Sequence, residues 1–422
     1  MQTTRRRFLA ASTAAAALAP HIAMGQITQN NTTLRIGLVG CGGRGTGAAT
    51  QALKADSNVR LVAMADAFRD RLDASLNRLR DNRDIVDKVD VADARKFVGF
   101  DAYQRLIDGG VDVVLLCTPP GFRPLHMHAA VEANKHIFAE KPIAVDAPGV
   151  RRVERICAEA RRKNLSVVSG LCLRYSNNYK EMMRRLHAGA VGDIVALQAN
   201  DLRGRIWMFP RQPAWTDMEW QMRNWYYFTW LSGDFNVEQH VHNLDVCAWA
   251  RRGQYPEKAV ALGGRQVRTG PEFGHIYDHF SVVYEYADGV KLFSNCRQQE
   301  RCAGDMTVHA MGTRGRAEIS ERRMAITGPS NWLEQGRNDN DFYQTEHDEL
   351  FASIRNNRPI NNGEYMCKST LMAILGRMAA YTGRVITWDQ AYNSREDLTP
   401  PRFEWGPIAT PRVAQPGQTP FV

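Results

Sequence analysis

Leu34-Arg35-Ile36-Gly37-Leu38-Val39-Gly40-Cys41-Gly42-Gly43-Arg44-Gly45 is the stretch that decides the fold. Six strand-like residues run into a glycine-rich turn, and small residues over 46–54 then read as a helix. In Gly40-x-Gly42-x-x-Gly45 the first glycine permits a tight turn, the second admits a close ligand, and the third lets helix and strand touch. Gly43 and Arg44 complete the loop. A helix N-terminus above such a turn offers unpaired N–H groups and partial positive charge, so the expected guest is the pyrophosphate of a dinucleotide. A second strand-like run, 59–65, ends at Asp66, where a carboxylate is expected on the ribose hydroxyls. Asp66 favours NAD, because a carboxylate repels a 2′-phosphate. Arg44 and Arg69, close by in sequence, leave NADP open.

Outward from this stretch, strand and helix patterns alternate. Residues 111–117 form a continuous apolar run that breaks at Thr118-Pro119-Pro120. Another short strand, 136–139, ends in Glu140-Lys141-Pro142, and Asp146 with Pro148 marks a helix start. The spacing predicts an α/β fold: a doubly wound parallel Rossmann sheet over 34–172. Beyond 172, long alternating segments at 195–200, 258–267, 279–286, 290–297, 305–312 and 316–319 predict a second α/β domain. It spans 173–392 and is built on an open, mainly antiparallel sheet. Helices are expected at 179–188, 239–250 and 368–381. A proline-rich arm, 393–422, is expected to wrap the surface.

The chain opens Thr4-Arg5-Arg6-Arg7-Phe8-Leu9-Ala10, followed by an alanine-rich run and by Ala23 and Gly25 before Gln26. This order reads as a twin-arginine signal over 1–25, with a linker over 26–33, and predicts an exported, periplasmic protein. The formal charge of +9 includes Arg5, Arg6 and Arg7. The remaining basic residues are interleaved with acids, which describes a solvated surface and excludes a nucleic-acid stripe. No apolar run predicts a stable membrane association. The eight cysteines form no CxxC pair and no metal-type spacing, and no disulfide is expected of a chain that folds before export.

Ligands of an open parallel sheet lie beyond the strands' carboxyl ends. Gly40–Gly45, Thr118, Pro119, Glu140 and Lys141 fall there. Lys141 stands out in a chain whose basic residues are mostly arginine; it reads as a functional lysine or as a surface lysine in a turn. The second constellation runs from Glu238 to Asp245. If it is helical, Glu238, His242 and Asp245 share a face, and a histidine between carboxylates is a proton acceptor near neutral pH. If it is extended, Glu238, His240 and His242 share a face that could hold a metal. A core histidine is the third reading. No metal is expected in the helical case.

Together these pieces resemble the glucose–fructose oxidoreductase / inositol dehydrogenase / rhizopine-catabolism (Gfo/Idh/MocA) family across the mature chain. Gly40–Gly45, Asp66-Ala67-Phe68, Cys117-Thr118-Pro119-Pro120 and His136-to-Pro142 carry the resemblance, in the family's order. It implies a nicotinamide cofactor and hydride chemistry on a sugar, polyol or glycoside. It also implies a homodimer or homotetramer built through the C-terminal sheet. Lys141 would lie between nicotinamide and substrate, and His242 would be the catalytic histidine. Glu238 departs from the family's aspartate, and Gln239-His240 from its smaller or apolar residues. Arg174, Tyr175, Arg223, Trp225 and His240 are the candidate substrate residues. Three functions compete. The first is a sugar oxidoreductase with a tightly bound, recycled cofactor. The second is a redox-neutral glycoside hydrolase or lyase that oxidises, eliminates and re-reduces. The third is a non-catalytic nucleotide-binding protein.

Overall fold

A computed structural model describes residues 32–334 and 339–422, so the predicted signal and most of the linker lie outside the described residues. Six strands form the first sheet: β1 (Leu34–Val39), β2 (Val59–Asp66), β3 (Lys96–Val98), β4 (Val113–Leu116), β5 (His136–Ala139) and β6 (Val167–Ser169). Their order is β3-β2-β1-β4-β5-β6, with every neighbouring pair parallel. Helices α1 (Gly43–Ala55), α2 (Arg69–Arg80), α3 (Ala102–Asp108), α4 (Arg123–Glu132) and α5 (Ala147–Arg162) connect them. All four residues of β4 are buried, as a strand covered on both faces requires. The chain winds outward in opposite directions from β1 and β4, which leaves a crevice above their carboxyl ends. Helix α1 starts at Gly43, three residues earlier than the small-residue pattern predicts. Asp146 caps α5 as expected, accepting from the Gly149 N–H at 2.8 Å.

The second sheet has nine strands: β7 (Ile194–Arg203), β8 (Lys258–Gly264), β9 (His279–Glu285), β10 (Lys291–Gln298), β11 (Asp305–Gly312), β12 (Arg316–Ile319), β13 (Met324–Thr327), β14 (Trp332–Glu334) and β15 (Ile386–Thr387). The order is β14-β13-β12-β11-β7-β10-β9-β8-β15, and only β7 with β10 is parallel. One face carries buried side chains such as Phe280, Tyr284, Leu292 and Cys296. The helix Gly363–Thr382 packs against β8, β9 and α5, and so joins the two halves. It is buried nearly all round. The opposite face of the sheet is open, with Leu262 77% exposed beside Val260 and Phe293.

Two later segments return to the first sheet. The helix Phe342–Arg355 packs on α1, and its Leu350 and Phe351 are fully buried among Leu38, Phe138 and Val168. Just beyond it, Ile360 O accepts from Val167 N at 2.7 Å, against the edge strand β6. The arm 394–422 has no regular structure, yet both ends are tied together. Ser394 Oγ donates to Val422 O at 2.6 Å, and Arg395 N donates to the same oxygen at 3.1 Å.

Candidate active site

The glycine turn is shaped for a ligand rather than for packing alone. Gly40 has φ +95°, and an added Cβ there would lie 2.6 Å from the Cys117 backbone. A Cβ on Gly45 would sit 1.9 Å from Gly40 O, so helix and strand touch there. At Gly42 and Gly43 a Cβ would meet nothing within 4 Å, leaving open space over the first turn of α1. That space is where phosphate oxygens would meet backbone N–H groups. From the turn a cavity of about 480 Å³ runs past Asp66 and Phe68 to Thr118, Pro119 and Phe122, a size suited to a small-molecule cofactor. The Asp66 carboxylate accepts from Cys41 N at 2.6 Å and from Phe68 N at 2.9 Å. Burial raises its pKa, and these two bonds oppose the rise. The dinucleotide therefore fits these residues. Arg44 also lines this cavity, with its charge paired to Glu140 and, at 3.2 Å, to Glu346, over the Tyr343 ring. Burial also raises the pKa of the enclosed Glu346, with Glu140 adding to the rise. Arg69 lies at the surface, 3.9 Å from Asp73.

At the end of β5, Lys141 Nζ donates to Glu238 Oε1 at 2.8 Å and to Glu238 O at 2.6 Å. An ammonium has three donors, so one remains for a ligand oxygen. His242 is partly buried, and its Nδ1 has no hydrogen-bond partner among the described residues. Burial holds its pKa well below the usual histidine value, and the charges of Lys141 and Arg203 push the same way. The imidazole is neutral and able to accept a proton. Sequence reasoning missed two neighbours, Asp201 at the end of β7 and Tyr226 in a short helical turn beyond it. Asp201 is buried and pairs with Arg203; burial raises its pKa, and the pull of Lys141 and the push of Glu238 both reach it. Tyr226 is buried beside the same charges, and its hydroxyl accepts from Gln298 Nε2 at 2.9 Å. The only available signal was polar residues ending a strand-like run.

The histidine segment is helical, which removes the extended metal-holding arrangement, but it is not one helix. Phe235–Glu238 and Val241–Ala250 meet at Gln239 and His240. There His240 N reaches back five residues to Phe235 O at 3.0 Å. That extra residue in the turn shifts the helical phase, so the expected shared face of Glu238, His242 and Asp245 is broken. Glu238 serves Lys141 instead. Asp245 is held by Arg174 through two bonds of 2.8 and 2.9 Å, and by Ser369 at 2.6 Å. Arg174 is thereby occupied internally, stacked 4.0 Å from the Tyr365 ring. Tyr175 is a core residue whose hydroxyl donates to Asn362 at 2.9 Å. His240 is fully buried with Nε2 2.7 Å from Ser294 Oγ, and burial lowers its pKa to about 3. None of these three lines the cavity that runs from the glycine turn. Arg223 and Trp225 do line the cavity: Arg223 lies 4.1 Å from the Phe68 ring, whereas Trp225 packs against Trp207 and Tyr226.

Residues 34–170 match the Gfo/Idh/MocA oxidoreductase family, NAD-binding Rossmann fold. The myo-inositol 2-dehydrogenase of Thermotoga maritima is 24% identical over 285 residues, covering 67% of this chain and 74% of that protein. The 2,7-anhydro-N-acetylneuraminate hydratase of Escherichia coli is 24% identical over 179 residues, 42% of this chain and 44% of that protein. The crystal structure of scyllo-inositol dehydrogenase from Lactobacillus casei with bound NAD(H) and scyllo-inositol shares the fold. Its TM-score is 0.64 at 18% identity, over 85% of this chain and all of the other. Over residues 34–170 the chain is thus similar to the Gfo/Idh/MocA oxidoreductases with their NAD-binding Rossmann fold, and inositol dehydrogenases are among its relatives.

Proposed function

We propose that this chain oxidises a carbinol carbon of a sugar, polyol or glycoside, using a resident NAD. The observation that carries the reading is Lys141, fixed by Glu238 with one donor free, within electrostatic reach of a neutral His242. Oxidising a carbinol removes its hydroxyl proton as well as its C–H hydrogen. His242 accepts the hydroxyl proton, and Lys141 hydrogen-bonds the oxygen as its charge grows. When bound, the dinucleotide supplies the two-electron acceptor. Asp201 and Arg203 flank this point and suit substrate hydroxyls. The as-purified protein, mixed with panels of sugars, polyols and glycosides, should develop the absorbance of bound NADH with at least one of them. A panel with neither NADH formation nor product sinks the reading.

A second reading has one observation in its favour, the hydratase relative. In it the oxidised sugar carbon assists an elimination and is then reduced again. Glycoside cleavage without net NADH would select it.

The reading extends to location and assembly. Thr4-Arg5-Arg6-Arg7-Phe8-Leu9-Ala10 supports twin-arginine export, with a mature start near Gln26; replacing Arg5 and Arg6 by lysine should trap the protein inside the cell. The exposed Leu262, Val260 and Phe293 support self-association through the open sheet. Leu262→Glu should lower the sedimentation mass, and an unchanged mass would place the interface elsewhere.

A further inference from the structure

The cavity beside Asp66 has two walls of different origin. One belongs to the first sheet and carries Asp66, Phe68 and Phe100. The other comes from residues 207–225, with Trp207, Phe209 and Arg223 facing the same space. The walls are locked across the gap. Arg223 donates to Asp70 at 3.0 and 3.3 Å, and its guanidinium lies 4.1 Å from the Phe68 ring centre. Arg71, from α2, lies 4.9 Å from the Phe209 ring. The arm adds an outer layer: Trp405 sits 4.6 Å from Phe100 and 5.4 Å from Phe68, and Phe403 packs 5.3 Å from Phe122.

The arm is a strap fastened at several points. Glu396 pairs with the buried Arg377. Leu398 N donates to Asp146 Oδ2 at 2.9 Å, and Gly406 O accepts from Met218 N at 3.1 Å. Ala414 O accepts from the Tyr277 hydroxyl at 3.0 Å. The bond from Met218 ties the strap to the helix of the second wall that ends at Arg223. Flat aromatic and guanidinium surfaces suit a purine, and the phosphate end is already held by the helix N-terminus.

We propose that residues 207–225 and the arm around Trp405 form a clasp over the adenosine half of the dinucleotide, making the cofactor resident rather than exchanged at each turnover. The inference rests on the reading that this cleft takes a dinucleotide. Release through the mouth must part Arg223 from Asp70 and lift Trp405 from Phe68 and Phe100. Asp70 is 61% exposed and Trp405 43% exposed, so removing either side chain opens the clasp without cutting into the buried core.

The test is a chase. Purified protein is loaded with isotope-labelled NAD, freed of excess, and diluted into unlabelled NAD, and retained label is counted over time. Asp70→Ala and Trp405→Ala should each release label about tenfold faster than the unaltered protein, with thermal melts confirming that each is folded. If one variant fails to fold, the other decides. Equal release rates in all three proteins overturn the clasp and leave the dinucleotide reading standing. An unaltered protein that takes up no labelled NAD and also releases no nucleotide on denaturation overturns both; one that refuses label because it already holds a full complement of nucleotide supports the clasp.

Discussion

Lys141 uses two of its three donors on Glu238, and the third is the one that chemistry needs. Lys141→Ala should therefore lower turnover by about 10²–10⁴-fold while bound nucleotide, measured after denaturation, stays near one per chain. The Glu238 carboxylate then loses its cation, so the melting temperature should fall modestly. Near-wild-type turnover would exclude Lys141. The two histidines separate more sharply. His242→Ala should be inactive with its fold intact. His240→Ala should keep its activity but lose about 1–3 kcal/mol of stability, because Ser294 loses a buried partner. The reverse result in paired activity and urea-unfolding measurements would reassign the base. Lys141 was legible in the sequence because a strand end fixes its position. Asp245 and Arg174 were not, because an ideal 3.6-residue repeat hides the extra residue at His240.

At the scale of elements, strands buried on both faces and the glycine turn were readable from local pattern, since each is dictated by residues close in sequence. Gly45 gives the clearest consequence. With 1.9 Å between a new Cβ and Gly40 O, Gly45→Ala must pry α1 from β1, at a cost of about 1–3 kcal/mol. It should also empty the cradle, and nucleotide content together with the melting temperature would record both losses. A variant that keeps full nucleotide content would show that the cradle tolerates the shift. The helix Phe342–Arg355 escaped notice for a different reason. Its buried Glu346 and His347 break the apolar stripe, and the partners that make them tolerable, Arg44 and the Phe138 ring, lie about 200–300 residues away in the chain. The clasp was equally hidden, because nothing local in Glu404-Trp405-Gly406 announces Phe68 as its neighbour.

For the molecule as a whole, buried neutral histidines set an acid limit. Burial lowers His126 and His240 to about 3 and His275 to about 4. In the unfolded chain each would titrate near about 6.5. Above that pH both states are neutral and these groups add nothing. Below it the unfolded chain gains protons that the folded one refuses, so stability drops as pH falls towards the folded values. Each group contributes up to about 1.4 kcal/mol per pH unit in that window. The urea midpoint should thus fall steeply between pH 6.5 and 5, and a flat midpoint would contradict the burial of these rings.

The return of Leu350, Phe351 and Ile360 to the first sheet has a consequence in time as well as in space. A ribosome finishes β6 well before it makes the helix that seals the underside of that sheet. A nascent chain ending near residue 172 therefore presents Phe138 and Val168 to water, with β6 an unfinished border. The nucleotide-binding half cannot mature as an early, separate product and wait for the rest. Nor can it be lifted out at residue 172 and grafted onto another partner, because this half ends twice, once at β6 and again near Asn362.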